Sequence, residues 1–162
     1  MNAWKLCAML LLSLAGGSAW AQAPEPAAPS ALRVTYLVYS GRPNPTLTIT
    51  DAKTIRSLQS QLSSALVTGA GVRSTELPSV LGYNGIRVEA VDPAGSGIEY
   101  TVKGRFLRSQ NRQAGSESKA PAITASASTN ASLIEMQLLK LAENQGVLSA
   151  SALADARKSA GK

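Results

Sequence analysis

Histidine is absent from all 162 residues. That removes the usual general base near neutral pH, the Ser-His and Cys-His nucleophile pairs, and the commonest metal ligand. Cysteine occurs once, at Cys7. No internal disulfide can form, and a zinc site of ordinary composition cannot be built. Aromatic residues are few. The chain has one phenylalanine, Phe106, and four tyrosines, Tyr36, Tyr39, Tyr83 and Tyr100, while both tryptophans, Trp4 and Trp20, fall at its start. Stacking sugars or unpaired bases needs exposed aromatic faces, so this scarcity argues against nucleic acid as a partner. No cofactor is expected, and no catalytic residue is assigned.

The beginning of the chain reads as an export signal. Lys5 and the amino terminus are positive, Leu6 to Ala15 is apolar except for Ser13, and Ala19-Trp20-Ala21 is a small-x-small cleavage site. Cleavage is predicted between Ala21 and Gln22. The apolar run is shorter than the roughly 20 residues that span a bilayer, so no membrane anchor is expected after cleavage. Cys7 lies inside the run, too early to be lipidated at the cut. The expected location is the periplasm or the medium. Cleavage also removes Cys7, Trp4 and Trp20, so the working chain is expected to lack Cys, His and Trp altogether.

Residues 22–31 (QAPEPAAPSA) contain three prolines and are expected to form a disordered leader. Residues 32–157 are read as a single α+β domain and 158–162 as a basic tail. Leu32 to Tyr39 is the strongest strand. Apolar residues on both its faces suggest a central strand covered on both sides. After a stiff turn, Thr46 to Thr50 alternates as a second strand. Asp51 caps a predicted helix through Val67, with Ile55, Leu58, Leu62, Ala65 and Leu66 as its stripe. Residues 68–84 read as a long connection. Gly85–Val91 and Ile98–Val102 form a predicted hairpin, with Gly104 allowing a bend before Arg105–Arg108 extends the second strand. Ser109–Ala120 reads as a polar loop, and 122–128 has no assignment. Asn130–Gln145 is a second helix with stripe Leu133, Ile134, Leu138 and Leu141; Ser132 and Glu135 have capping-box spacing. Val147–Ala156 suits a short further helix. The expected order is β-β-α-β-β-α, a small antiparallel sheet with two amphipathic helices packed on it.

Two basic features are candidate contacts. Ser40-Gly41-Arg42-Pro43-Asn44-Pro45 is a rigid turn that can present Arg42 and Asn44 to a partner, Arg42 offering a planar fork to a carboxylate or phosphate. The alternative is a stiff connection whose Asn44 bonds its own backbone. Lys103, Arg105, Arg108, Arg112 and Lys119 make the middle of the chain basic, which suits an anion-binding edge. The alternative is an edge strand charged to block aggregation. The Ser-Gly-Arg-Pro-Asn-Pro stretch, with Leu81-Gly82-Tyr83-Asn84-Gly85 further on, resembles two short segments shared by some uncharacterised small bacterial proteins. The resemblance implies no activity.

Other patterns are weaker. Ser116-Glu117-Ser118-Lys119 matches S-x-x-K but lies in a polar loop without its partner motifs. Gly69-Ala70-Gly71 lacks the third glycine of a dinucleotide loop. Glu89, Asp92 and Glu99 lie near one hairpin, and paired carboxylates can perform glycoside chemistry. Glu89 and Glu99 are expected on a solvated strand face and Asp92 in a turn. The net charge of +6 is compatible with anionic partners. The reading is an exported binding or accessory domain that contacts a protein or an anionic envelope component. A small hydrolase using carboxylate or Ser/Lys chemistry and a structural envelope protein are the alternatives.

Overall fold

The structure is a computed structural model that describes residues 29–72, 74, 76, 82–91, 97–112 and 122–160. The predicted export signal with its expected Ala21–Gln22 cut, most of the predicted leader, Asp92, and Ser116 to Lys119 lie outside the described residues.

Alternation builds the first strand. In β1 (Leu32–Tyr36) Leu32, Val34 and Tyr36 are buried while Arg33 faces out. It pairs antiparallel with β2 (Thr46–Ile49). The strand stops at Tyr36 rather than Tyr39, because the Val38 and Tyr39 N–H groups donate to the Asn44 side chain instead of to a neighbouring strand.

Asp51 then caps α1 (Ala52–Thr68), its carboxylate accepting the Thr54 N–H at 2.7 Å. Ile55, Leu58, Leu62 and Ala65 are buried, as the spacing predicts. Next comes β3 (Ala70–Gly71), too short to be read from sequence. The hairpin of β4 (Ile86–Ala90) and β5 (Gly97–Lys103) is present in the expected register region. Gly104, at φ +56°, does not bend the strand onward. It opens a two-residue turn that sends β6 (Phe106–Arg112) back along β5, with Lys103 opposite Phe106. Residues 109–112, expected in a loop, are therefore strand. The unassigned Ser/Ala-rich stretch is β7 (Ile123–Ala127).

Ser128 caps α2 (Thr129–Asn144), its hydroxyl accepting the Ala131 N–H at 3.2 Å. The predicted stripe is corrected here. Leu133 is 58% exposed, and the buried face is Ala131, Ile134, Glu135, Leu138, Leu139 and Ala142. Glu135 therefore lies inside the protein and does not close a capping box. α3 (Ala150–Ala160) starts later than expected and continues through most of the supposed tail. There Arg157 bonds to Glu143 of α2 at 2.6 Å.

The result is an α+β protein with one antiparallel seven-stranded sheet in the order β2-β1-β4-β5-β6-β7-β3. The sheet is larger than predicted, and there are three helices rather than two. One face carries the core. Tyr36, Ile86, Val102, Leu107 and Ser126 form a row across it. The Tyr36 hydroxyl donates to the Leu138 carbonyl of α2 at 2.9 Å, and the Ser126 hydroxyl to the Ala65 carbonyl of α1 at 3.3 Å. α1 thus crosses the sheet from β2, just before its start, to β7.

The opposite face holds Arg33, Thr35, Arg87, Glu89, Thr101 and Arg108 at cross-strand positions. β1 is not the central strand but lies one in from the border of the sheet, and it is not apolar on both faces, because Leu37 and Tyr39, which suggested a second apolar face, lie beyond its end. Glu89 and Glu99 stand directly opposite one another, a repulsive placement unless countered. Arg33 meets Glu89 at 3.4 Å and the Arg87 Nε meets Glu99 at 3.2 Å. Glu99 is only 8% exposed, so the expectation of a solvated position fails for it.

Candidate functional site

The 37–45 loop is held by its own asparagine. The Asn44 Oδ1 accepts the Val38 N–H at 2.9 Å and the Tyr39 N–H at 2.8 Å. Asn44 thus serves the loop internally. Arg42 is exposed, and its guanidinium lies over the Tyr39 ring, 3.7 Å from the centroid, a cation–π contact that limits where the fork can point. Replacing Asn44 with alanine strands two backbone donors. Thermal or urea unfolding is expected to show a loss of about 1–3 kcal/mol, and Asn44→Asp, which keeps the acceptor, is expected to lose much less.

The second glycine-rich segment closes onto this loop. The Asn84 N–H donates to the Leu37 carbonyl at 2.7 Å, and the Leu37 N–H donates to the Gly85 carbonyl at 3.0 Å. Two stretches well apart in sequence thereby form one unit at the Tyr36 end of β1. Gly85 sits at φ +99°, where a Cβ would lie 2.5 Å from the Val102 carbonyl oxygen. No side chain fits there.

Beneath the unit lies a buried polar triad. Glu135 is fully buried. Its Oε1 accepts the Tyr83 hydroxyl at 2.5 Å and its Oε2 accepts the Gly104 N–H at 2.6 Å. Burial pushes the Glu135 pKa up, while the two hydrogen bonds and nearby Lys103 pull against that rise. The Tyr83 hydroxyl is pushed up by burial and then by the Glu135 charge, so it remains a neutral donor. One carboxylate therefore ties together three elements: the 82–85 segment, the β5–β6 turn and α2.

Beside Tyr83 is a cavity of about 240 Å³. It is lined by Tyr39 and Arg42 of the loop, by Gly82 and Tyr83, and by Ser149, Ser151 and Asp155 from the segment that begins and enters α3. The Ser149 and Ser151 hydroxyls lie 3.2 Å apart, and Ser149 also accepts the Ala152 N–H at 3.3 Å.

The predicted basic residues are only partly brought together. Arg105 is exposed in the β5–β6 turn, at the same end of the sheet as Arg42. Arg108 is half-buried in β6 and donates to Gln110 at 2.9 Å. Arg112 ends β6 opposite Gly97, about 20 Å from the turn at ~3.4 Å per residue. The expected basic edge is corrected as well. β6 lies between β5 and β7 and is not an edge strand, because β7 and β3 extend the sheet past it.

Sequence reasoning missed Tyr39, Tyr83, Glu135 and Asp155. For Glu135 a signal existed: a lone carboxylate among Ala131, Ile134, Leu138, Leu139 and Ala142 at helical spacing. Comparison with known proteins finds no matching family model, curated protein or solved structure. Among the described residues, no helix is long and apolar enough to cross a membrane, and no group of three His, Cys, Asp or Glu side chains is placed to hold a metal.

Proposed function

We propose that this protein is an exported, non-catalytic binding or accessory domain that contacts a protein or an anionic envelope surface through the end of its sheet bearing Arg42. The observation that carries this reading is the braced, unspent cation. Arg42 is exposed, is steadied by Tyr39, and has no ion-pair partner among the described residues. An oriented guanidinium is well suited to a carboxylate or phosphate because its fork loses little freedom on binding. Arg105 adds charge at the same end, and Asn44 holds the loop in shape. Arg108 and Arg112 carry positive charge farther along β6. The export signal at residues 1–21 supplies the location.

The test is co-sedimentation with vesicles containing an anionic phospholipid, and capture from envelope extract, each at low and high salt. Wild-type capture is expected to weaken steeply with salt, as exposed charges are screened within about 10 Å at 0.1 M. Arg42→Ala is expected to reduce it several-fold and Arg42→Lys to restore part. Equal capture by wild type and Arg42→Ala at both salts defeats the reading.

A further inference from the structure

The cavity beside Tyr83 is lined by both Arg42 and Asp155. Both side chains are exposed, and neither forms an ion pair with the other or with any other described residue. Nearby charges of the same fold are used differently: Arg157, two residues along α3, closes on Glu143. Two opposite charges that share a small cavity without bridging leave a gap that a doubly charged ligand can span. The remaining polar groups are neutral: Ser149 and Ser151 bond each other, and Ser149 also accepts the Ala152 N–H in the first turn of α3. Tyr83 is likewise committed, its hydroxyl turned down to Glu135. Arg42 and Asp155 are therefore the charged groups available to a ligand.

From this juxtaposition we infer that the cavity binds a small amino-acid zwitterion, its carboxylate on the Arg42 fork and its ammonium on the Asp155 carboxylate. Each contact is a charge-assisted hydrogen bond, the stronger class. The volume of about 240 Å³ falls below the roughly 300–1,000 Å³ of sites for drug-sized molecules. It suits one amino-acid unit, free or at an exposed end, and not an extended polymer. At this volume a small side chain fits best. The inference rests on the Arg42 end being a binding site. It does not rest on the partner being an anionic surface, because an anion alone would meet Asp155 as a repulsive neighbour.

The experiment is titration of the purified full chain with alanine, followed by two-dimensional NMR of backbone amides. N-acetylalanine, which keeps only the carboxylate, and alaninamide, which keeps only the ammonium, are the controls. Alanine is expected to shift the amides of Arg42, Tyr83 and Ala152 in a saturable way. Each single-charge analogue is expected to bind about tenfold more weakly or worse. Asp155→Asn, an isosteric change at an exposed position, is expected to weaken alanine about tenfold and to strengthen N-acetylalanine, which loses a repulsive neighbour. Arg42→Ala is expected to abolish alanine binding. Equal affinity for alanine and N-acetylalanine, no saturable shift, or alanine binding untouched by Asp155→Asn overturns the inference. The two proposals separate cleanly. Vesicle capture that depends on Arg42 with no alanine binding leaves the broader reading standing and removes this one. Alanine binding without salt-sensitive capture does the reverse.

Discussion

Glu135→Ala is expected to destabilise the domain by about 3–5 kcal/mol, because it leaves two buried donors unmatched and opens a cavity in the helix–sheet interface. For a domain of this size the melting temperature is expected to fall by roughly 10–20 °C, read by circular dichroism. The stranded donors are the Tyr83 hydroxyl and the Gly104 N–H. Glu135→Gln keeps an acceptor for one of them and is expected to cost less. The charge has its own signature. Burial raises the folded-state pKa of Glu135 above its ordinary value. The folded protein therefore binds this proton more tightly than the unfolded chain does. The stabilisation from protonation is fully present below the ordinary carboxylate range and is lost as pH rises through the raised folded value. The difference in melting temperature between wild type and Glu135→Gln is accordingly expected to widen toward acid. A difference that shrinks on acidification means that the pKa is not raised. The Tyr83 and Tyr36 hydroxyls near this centre are pushed up by burial and stay neutral across that window.

Gly85→Ala is expected to be nearly as damaging, at about 2–4 kcal/mol. Two costs add. The residue must hold φ +99°, and its new methyl would press to 2.5 Å on the Val102 carbonyl oxygen, a backbone atom that cannot swing away. Gly82→Ala isolates the first cost. It has φ +97° but nothing within 4 Å of the would-be Cβ, so only the conformational term of about 1–2 kcal/mol applies. Urea unfolding of the two variants side by side checks the argument. Equal losses would mean that the Val102 contact carries no weight. Because Gly85 also accepts the Leu37 N–H, the variant is expected to loosen the 37–45 loop as well.

The parts of this fold that sequence reading captured were those with strong periodicity. α1 announced itself through Ile55, Leu58, Leu62 and Ala65 and through the Asp51 cap, and the β4–β5 hairpin through alternation around a turn cluster. The parts it missed share a physical cause. β3 is a two-residue strand made of Ala70 and Gly71, and β7 is built of Ser, Thr and Ala apart from Ile123. Neither has the branched, apolar surface that marks a half-buried strand. β7 is placed by pairing with β6, and β3 by pairing with β7 at the end of α1, which are tertiary facts. Glu135 was misread for the opposite reason. A carboxylate near a helix start is usually a cap or a solvent group, and here two donors distant in sequence make its burial tolerable. The candidate site was half legible. The Arg42 turn and the Leu-Gly-Tyr-Asn-Gly segment stood out as unusual, but nothing in either stretch indicated that they clasp each other or that Asp155 lines the same cavity.

The crossing of α1 has a consequence for what this chain can tolerate. From β2 to β7 the sheet spans five inter-strand steps, about 24 Å at ~4.8 Å each. The 17 residues of α1 rise about 25 Å. The helix is thus a ruler cut to the distance from β2 to β7, and the two outermost strands, β2 and β3, flank it in sequence. Length changes elsewhere can be absorbed by loops. A turn added to or removed from α1 has nowhere to go except into one border of the sheet, so both borders are fixed by a single segment in the first half of the described chain.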